Sequence, residues 1–168
     1  GFGVVVDDYS QSNENNLIFG DGISWIGDIG YGCTDIYASN FEETADIEDG
    51  SCLARTLLVP DNFATIQEAI DYSIDGDTVL VSAGTYVENI NFNGRNIALI
   101  GEDRETTIID GGQSSISVVT FFNGESNSTL MEGFTVKNGT DEEGGGVECN
   151  YNSSPTLRNL IITENSVT

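Results

Sequence analysis

The chain has 168 residues, of which 28 are acidic and only five are basic, so its formal net charge is −23. This charge excludes nucleic acid and anionic lipid as partners, and the absence of His excludes Ser-His and Cys-His catalysis and any His-ligated metal within the chain. Two interpretations of the acidity stay open: solubility in a salty extracellular medium, or binding of divalent cations such as Ca²⁺, which prefer carboxylate and carbonyl oxygens.

Residues 1–31 form an N-terminal segment with weak structural signals. Short apolar runs predict strands at Val4–Val6 and Leu17–Phe19, and Trp25 is predicted to anchor local packing. The first residues lack the basic and apolar regions of a signal peptide, so we expect a secretion signal to be removed or to lie upstream. No stretch approaches the roughly 20 apolar residues of a membrane span, and no membrane insertion is predicted.

Residues 32–54 form an acidic module bounded by two cysteines. In an oxidising compartment, a disulfide between Cys33 and Cys52 would stabilise the module by about 3 kcal/mol, because it closes a loop in the unfolded chain. Two thiols without His are too few ligands for zinc. The residues between them offer oxygen ligands for calcium, with a solvated acidic loop as the alternative. The predicted calcium ligands are Asp35, Asn40, Asp46, Glu48 and Asp49.

The module also resembles a known one. The letters GCTD at 32–35, ASNF at 38–41 and DGSC at 49–52 are similar to a short module repeated between domains of large secreted and surface proteins of Gram-negative bacteria. The resemblance implies an extracellular or bacterial cell-surface location for this chain.

A single short helix is predicted after the module. Thr65 is a candidate N-cap, and Glu68 completes a T-x-x-E capping box with it. The apolar spacing predicts one buried stripe, and Gly76 is predicted to end the helix as a left-handed C′ residue. The stripe consists of Ile66, Ala69, Ile70 and Ile74. Such a short helix is not stable alone, so it must pack against other elements.

Strands and turns alternate through the remaining chain, and part of the pattern repeats. The predicted strands are Thr78–Ser82, Tyr86–Phe92, Asn96–Ile100, Thr107–Ile109, Ser117–Phe122, Met131–Lys137, Gly146–Cys149 and Leu157–Thr163. An offset of 26 residues overlays Met131 on Leu157, Phe134 on Leu160 and Val136 on Ile162. A repeat of this length is typical of one turn of a solenoid.

The stretch from about residue 58 to 168 closely resembles right-handed parallel β-helix domains of the pectate-lyase-like superfamily. The motifs that carry the resemblance are VPDNFATIQEAI, GDTVLV, GTYVENI, GEDRETTIIDGG and EGFTVKNG, in this order. The resemblance implies an all-β fold, a right-handed parallel β-helix over residues 55–168, with the helix closing its N-terminal end. Without such a lid, the exposed strand edges of the first coil would recruit another chain.

No comparable lid is predicted at the other end, where the sequence reads LRNLIITENSVT. Two interpretations stay open. The β-helix continues beyond residue 168, or its open end is covered by another molecule. In the second case, self-association through that end would build a head-to-tail filament.

No catalytic constellation is evident in the chain. Glu132 and Arg158 fall at equivalent positions of successive coils, and we interpret them as a surface ion pair rather than as an acid and a base. Asp110 is predicted to make a turn, and Cys149 to be a small core residue rather than a nucleophile, since no Lys or His is placed to activate it. The acidic run 141–143 either gathers calcium or forms a solvated turn. That run consists of Asp141, Glu142 and Glu143.

Fold alone does not fix function, and the resembling superfamily includes lyases, hydrolases, adhesins and non-enzymatic surface proteins. The main prediction is a secreted or cell-surface structural or adhesive protein that binds glycans or partner proteins. The alternative is the N-terminal part of an extracellular polysaccharide lyase or hydrolase whose catalytic coils lie beyond residue 168. The second alternative is the filament subunit described above.

Overall fold

The structure, a computed structural model, describes residues 29–142 and 144–167. The strands predicted at Val4–Val6 and Leu17–Phe19, and the anchor Trp25, lie outside the described residues. The chain divides into two compact units. The described part of the first comprises 29–36 and Asn40–Cys52, and the second comprises Tyr37–Ser39 and the chain from Leu53 onward.

The first unit is small and is held by a disulfide. Its strands β1 (Tyr31–Gly32) and β2 (Ile47–Glu48) pair in parallel. Cys33 is buried and is bonded to Cys52, with a Cα–Cα distance of 4.7 Å. The predicted disulfide is therefore confirmed, and its partners are 19 residues apart in sequence.

The second unit is a parallel β-solenoid of about four turns. Its strands are β3 (Thr56–Val59), β4 (Thr78–Val81), β5 (Gly84–Val87), β6 (Ile90–Asn91), β7 (Ala98–Gly101), β8 (Thr107–Asp110), β9 (Val119–Phe121), β10 (Leu130–Glu132), β11 (Thr135–Lys137), β12 (Thr140–Asp141), β13 (Val147–Cys149), β14 (Thr156–Arg158), β15 (Ile161–Thr163) and β16 (Ser166–Val167). The predicted class, mostly β with a parallel solenoid, is confirmed.

Three sheets form the faces of the solenoid. Sheet A has the order β14-β10-β7-β4-β3, sheet B the order β15-β11-β8-β5 and sheet C the order β13-β9-β6, while β12 and β16 form a separate pair. All of these strand pairs are parallel. The predicted offset of 26 residues is the register between the last two coils, since Met131 pairs with Leu157 and Val136 with Ile162.

Inward side chains stack in columns from coil to coil. In sheet A one column is built from Leu57, Val79, Leu99 and Met131, all fully buried, and it ends at Leu157. Leu157 is 37% exposed because no further coil of the described chain stacks on it. Fully burying an aliphatic side chain contributes about 1.5–3 kcal/mol, so this column stabilises the stacking of successive coils.

Several predicted strands are in fact two strands in different sheets. The predicted runs Tyr86–Phe92, Met131–Lys137 and Leu157–Thr163 are each divided by a corner. Gly133 takes a φ of +82° at the second of these corners, and Asn159 a φ of +50° at the third. Only Gly adopts such angles freely, and Asn tolerates them better than most residues. The left-handed residue turns the chain from sheet A into sheet B.

Helix α1 spans Ile66–Tyr72 and begins with the predicted capping box. The backbone N–H of Glu68 donates to Thr65 Oγ1, and the N–H of Thr65 donates to a Glu68 carboxylate oxygen. Ile66, Ala69 and Ile70 are buried, whereas Ile74 is 50% exposed. The predicted buried stripe is therefore one residue too long at Ile74.

The helix ends earlier than predicted because the next backbone N–H donates to a side-chain carboxylate and not to a helical carbonyl. Ser73 is the C-cap and has an extended backbone. The N–H of Ile74 donates to Asp77 Oδ2 at 2.8 Å instead of continuing the helical ladder. Gly76 does have a left-handed φ of +93°, but it lies in the following turn and is not the C′ residue.

Helix α1 contacts β3, β4 and β6 and so covers the first coil. The carboxylate of Glu88 accepts the N–H groups of Ile66 and Gln67 at 3.0 and 2.9 Å. At β3, the N–H of Leu58 donates to Asn62 Oδ1 at 2.8 Å. The edge of sheet A is thereby partly occupied by the chain itself. Within 29–142 and 144–167, no helix is long and apolar enough to cross a membrane.

Candidate functional site

The predicted calcium ligands of the first unit support its turns. Glu48 accepts the backbone N–H groups of Thr34 and Gly50 at 2.9 and 2.8 Å. The hydrogen bond from the Thr34 backbone, followed by that from Gly50, lowers the pKa of Glu48 below its ordinary value. Asp49 accepts the N–H of Ser51, and hydrogen bonds from Ser51 likewise lower the pKa of Asp49.

The other predicted ligands make comparable local bonds. Asp46 accepts the N–H of Gly30 at 3.2 Å, and the Asn40 amide donates to the Ser51 carbonyl at 2.8 Å. Among the described residues, the carboxylates of Asp35, Asp46, Glu48 and Asp49 do not gather within one cluster of three. The group that does gather consists of Cys33, Glu48 and Cys52, and its two sulfurs are bonded to each other. Calcium binding stays a prediction.

A buried ion pair lies beneath helix α1. Arg55 Nη2 is 2.6 Å from Asp77 Oδ2, and the two side chains are only 7% and 0% exposed. Asp77 also accepts the backbone N–H groups of Arg55 and Ile74, both at 2.8 Å. The guanidinium lies 4.8 Å from the centre of the Tyr72 ring. This pair connects the start of β3 to the end of the helix, and the sequence did not reveal it.

A fully buried carboxylate, Glu125, ties three successive corners together. Its oxygens accept the N–H of Gly94 at 2.9 Å, the N–H of Asn123 at 3.0 Å and the hydroxyl of Ser153 at 2.6 Å. Burial acts to raise the pKa of Glu125, but the hydrogen bonds from Ser153, from its own backbone, from Gly94 and from Asn123 together outweigh burial. The pKa therefore lies below its ordinary value.

Sequence reasoning missed Glu125, because the residue stands in an Asn-Gly turn of the kind that is normally solvated. The one available signal was the recurrence of Phe-Asn-Gly in FNGRN (92–96) and FNGES (122–126). The stacking of these turns places a donor from the neighbouring coil on each side of the carboxylate. Glu125 is a structural group of the described chain rather than a reacting one.

Asp110 makes the predicted turn and also bonds to the next coil. It accepts the N–H of Gly112 at 2.9 Å and the side-chain amide of Asn138 at 2.9 Å, and Lys137 Nζ lies 3.6 Å away. The bond from Gly112 lowers the pKa of Asp110 most, and Asn138 and Lys137 lower it further against a smaller opposing effect of burial.

The second unit is expected to lose stability in acid, because Asp110 and Glu125 have lowered pKa values when folded. In the unfolded chain these carboxyls take up protons near their ordinary pKa of about 4. The folded state resists protonation, so their contribution is complete above this range and is lost as pH falls through the folded pKa. Asp110→Asn should flatten the acid limb of a urea-unfolding series measured against pH. The exposed Glu105→Gln is the control, and an unchanged slope for Asp110→Asn would contradict this assignment.

A polar depression of about 440 Å³ lies beside the start of β7. Asn96 Oδ1 accepts hydrogen bonds from the hydroxyls of Ser126 at 2.7 Å and Thr129 at 3.1 Å. The N–H of Asn96 donates to Asp75 at 2.8 Å. These polar groups bond to one another across successive coils and so maintain the corner.

A second cavity, about 290 Å³ in volume, runs across the outer face of sheet A. Its floor is a column of three stacked aliphatic side chains: Leu58, Leu80 and Ile100. Leu58 and Leu80 are 36% and 38% exposed. Asp61 and Glu102 line the same cavity. We call these five residues the sheet A groove.

The acidic edge of the sheet A groove carries negative potential. Glu102 accepts the N–H of Ala83 at 2.8 Å and is held in place by it. Nearby, burial raises the pKa of the Tyr86 phenol, and the carboxylates of Glu88, Asp61 and Glu102 raise it further. An aliphatic floor with carboxylates at its edge can contact apolar ring or chain surfaces and accept hydrogen bonds from hydroxyl groups.

The aliphatic column of the groove continues into a charged pair. Glu132 pairs in register with Ile100 on one side and Arg158 on the other. The predicted pairing of Glu132 and Arg158 across coils is confirmed, with 2.6 Å between the guanidinium and the carboxylate. Their side chains are 31% and 59% exposed, so the pair contributes less than about 1 kcal/mol.

The prediction that Cys149 is a core residue is wrong. Cys149 aligns with the buried Phe121, as an inward position should, but the residue is exposed because no described coil covers it. Partial desolvation of the thiol, with the carboxylates of Glu125 and Glu148, raises the pKa of Cys149. In the acidic run, Asp141 accepts the N–H of Ser117 and Glu142 is exposed, while Glu143 lies outside the described residues.

The chain is similar to a plant protein over about half of its length. It is 31% identical over 93 residues to the probable pectinesterase/pectinesterase inhibitor 32 of Arabidopsis thaliana, and these residues are 52% of this chain and 18% of that relative. The chain thus spans less than a fifth of that relative. No family model matches the chain, and no solved structure matches it. The similarity is consistent with a distant pectate-lyase-like solenoid.

Proposed function

We propose that this chain is part of a secreted or cell-surface structural or adhesive protein, in which the solenoid presents the sheet A groove to a glycan or a partner protein. The observation that carries the proposal is the row of Leu58, Leu80 and Ile100 on the outer face of a strongly acidic chain. Outward positions of a solenoid are normally polar, so three stacked aliphatics point to a binding surface.

Two further observations support the proposal. The disulfide of the first unit fits an oxidising, extracellular compartment. The stacked parallel sheets hold the groove residues at the spacing between neighbouring strands, about 4.8 Å. A groove on such a scaffold needs little ordering when a ligand binds, which favours affinity.

The similarity to a pectinesterase favours one alternative, an enzyme that acts on a polysaccharide. In that case the reacting groups would come from parts of the protein outside this chain, and the sheet A groove would be a secondary contact surface. The two functions differ in turnover. An adhesive surface retains its polysaccharide unchanged, whereas the enzyme hydrolyses esterified pectin or cleaves its chain.

Leu80→Ser is expected to weaken polysaccharide binding about fivefold, because it removes apolar contact area without changing the net charge. Binding is measured as retardation of the protein in native gels that contain a soluble polysaccharide, with one neutral polymer and one pectin tested with and without calcium. Val87→Ser is the matched control, because Val87 is 72% exposed on another sheet. Equal retardation of both variants, or no retardation of the unmodified protein, would count against the proposal. Release of carboxyl groups from esterified pectin by the complete protein that contains this chain would favour the enzyme.

A further inference from the structure

Three Asn-Gly dipeptides occur at corners of the solenoid: Asn93-Gly94, Asn123-Gly124 and Asn138-Gly139. In such a pair the glycine nitrogen can attack the side-chain carbonyl carbon of the asparagine. The attack forms a five-membered succinimide and releases ammonia. Water then opens the ring to aspartate or isoaspartate, so the reaction needs no other reagent. The folded structure decides which of the three pairs can reach this geometry.

The pair Asn138-Gly139 is held on both sides. The Asn138 amide donates to both oxygens of Asp110, at 3.0 and 2.9 Å. The N–H of Gly139 donates to Asn165 Oδ1 at 2.8 Å. Gly139 is buried, and a Cβ there would collide with the carbonyl oxygen of Gly145. Neither the attacking nitrogen nor the attacked carbonyl carbon can move toward the other without breaking these bonds.

The pair Asn93-Gly94 is held by carboxylates. The Asn93 amide donates to Asp71 at 2.9 Å, and the N–H of Gly94 donates to the buried Glu125 at 2.9 Å. Ring closure requires the glycine nitrogen to lose its proton. A buried anion next to that nitrogen disfavours this step, because a second negative charge would form beside the first.

The pair Asn123-Gly124 is the open one. Asn123 and Gly124 are both exposed, and apart from the two adjoining residues no described atom lies within 4 Å of the position that a Cβ would take at Gly124. Within the described part of the chain, the N–H of Gly124 donates to the neutral hydroxyl of Ser153, at the longer distance of 3.2 Å. We propose that Asn123 is a site of spontaneous deamidation, where the folded protein forms aspartate and isoaspartate ahead of the two other Asn-Gly pairs.

The modification falls beside the buried carboxylate that ties the corners. The N–H of Asn123 donates to Glu125, and the N–H of Gly124 donates to Ser153 of the next coil. Isoaspartate inserts an additional methylene group into the backbone between these two donors. The two hydrogen bonds can then no longer form at the same time, so the contact between the turn at Asn123 and the turn at Ser153 weakens.

The test is peptide mapping by mass spectrometry after the native protein is incubated in mildly alkaline buffer. Each hydrogen bond that must break first slows the reaction about fivefold. We therefore expect conversion at Asn123 at least about fivefold faster than at Asn93 or Asn138. The products at Asn123 should elute as separate aspartate and isoaspartate peptides. Faster conversion at either other pair would overturn the proposal.

Two controls separate the role of the fold from that of the dipeptide. In concentrated urea the three pairs lose their different surroundings, so their rates should converge. Ser153→Ala removes the acceptor of the Gly124 N–H and also one donor to Glu125, which in turn holds Gly94. Conversion at Asn123 should therefore accelerate, while the pair Asn138-Gly139, held by Asp110 and Asn165, keeps its rate. An identical ranking in native and unfolded protein would show that the structure does not select the site.

Discussion

Asp77→Ala is expected to lower the free energy of unfolding of the solenoid by about 3–5 kcal/mol, because it removes a carboxylate that is buried against the Arg55 guanidinium at 2.6 Å. Arg55 is 6% exposed, so water does not replace the carboxylate without local unfolding. The substitution also removes the acceptor of the Ile74 N–H, which sets the end of helix α1. Urea unfolding followed by far-ultraviolet circular dichroism measures the loss.

The matched control for this prediction is Glu132→Ala, which breaks the other short ion pair at 2.6 Å. That pair is partly exposed, so its loss should cost less than about 1 kcal/mol. Equal losses for the two substitutions would mean that burial does not distinguish the pairs. A loss below about 1 kcal/mol for Asp77→Ala would contradict the assignment of Asp77 as the partner that neutralises Arg55.

Phe121→Ala is expected to lower the free energy of unfolding by about 3–5 kcal/mol, because it opens a cavity in the centre of sheet C. Phe121 is fully buried and stacks on Phe92 with ring centroids 4.4 Å apart. Phe92 itself is fully buried, so the ring on the preceding coil cannot move to fill the space without leaving its own column. The same urea titration measures this loss.

The neighbouring residue provides the control. Phe122 has the same side chain, but the strand alternation directs it outward, where it is half-buried against the Tyr151 ring at 5.8 Å. Phe122→Ala should cost about 1 kcal/mol or less, because truncating a half-buried surface side chain leaves no enclosed cavity. Similar costs for both substitutions would contradict the inward and outward assignment in this corner.

Much of the solenoid was predictable because its sequence signals are local or repeated. The capping box at Thr65 and Glu68 depends on a fixed spacing within one turn of helix, and the structure has both of its bonds. The offset that overlays Met131 on Leu157 measures the length of one coil, and it gives the register directly when the coil has no insertion. Earlier coils differ in length: Ala98 pairs with Thr78 on one side and Leu130 on the other. These coils carried no repeat signal.

The missed features depend on contacts between distant residues. At Gly133 and at Asn159, a single residue with a left-handed backbone divides an apolar run into two strands. The sequence of each run predicts one continuous strand, because the corner is evident only once the strands are assigned to sheets. Glu125 and Asp77 can be buried because their carboxylates accept hydrogen bonds from donors on other coils or elements. Ile74 has the right helical spacing, but Asp77 competes for its N–H. None of these corner residues, donors and acceptors can be recognised from the local sequence pattern alone.

The candidate site likewise contains one feature that the sequence predicted and one that it did not. The stacking of Glu132 on Arg158 followed from the repeat. The sheet A groove did not, because Leu58, Leu80 and Ile100 lie in coils of unequal length. Their side chains look like core residues in sequence, and their outward direction becomes visible only from the register of the strands.

The parallel register also has a consequence for how the protein is made. Each strand of sheet A pairs only with the strand of the preceding or following coil, so Thr56 pairs with Thr78, and Thr78 with Ala98. Each pairing in sheet A thus joins strands of adjacent coils, and the entropy cost of closing such a loop grows only slowly with its length. Stability in stacked repeats is a sum over neighbours. The chain can therefore fold in order from its first coil, with the strands of each completed coil pairing with those of the next.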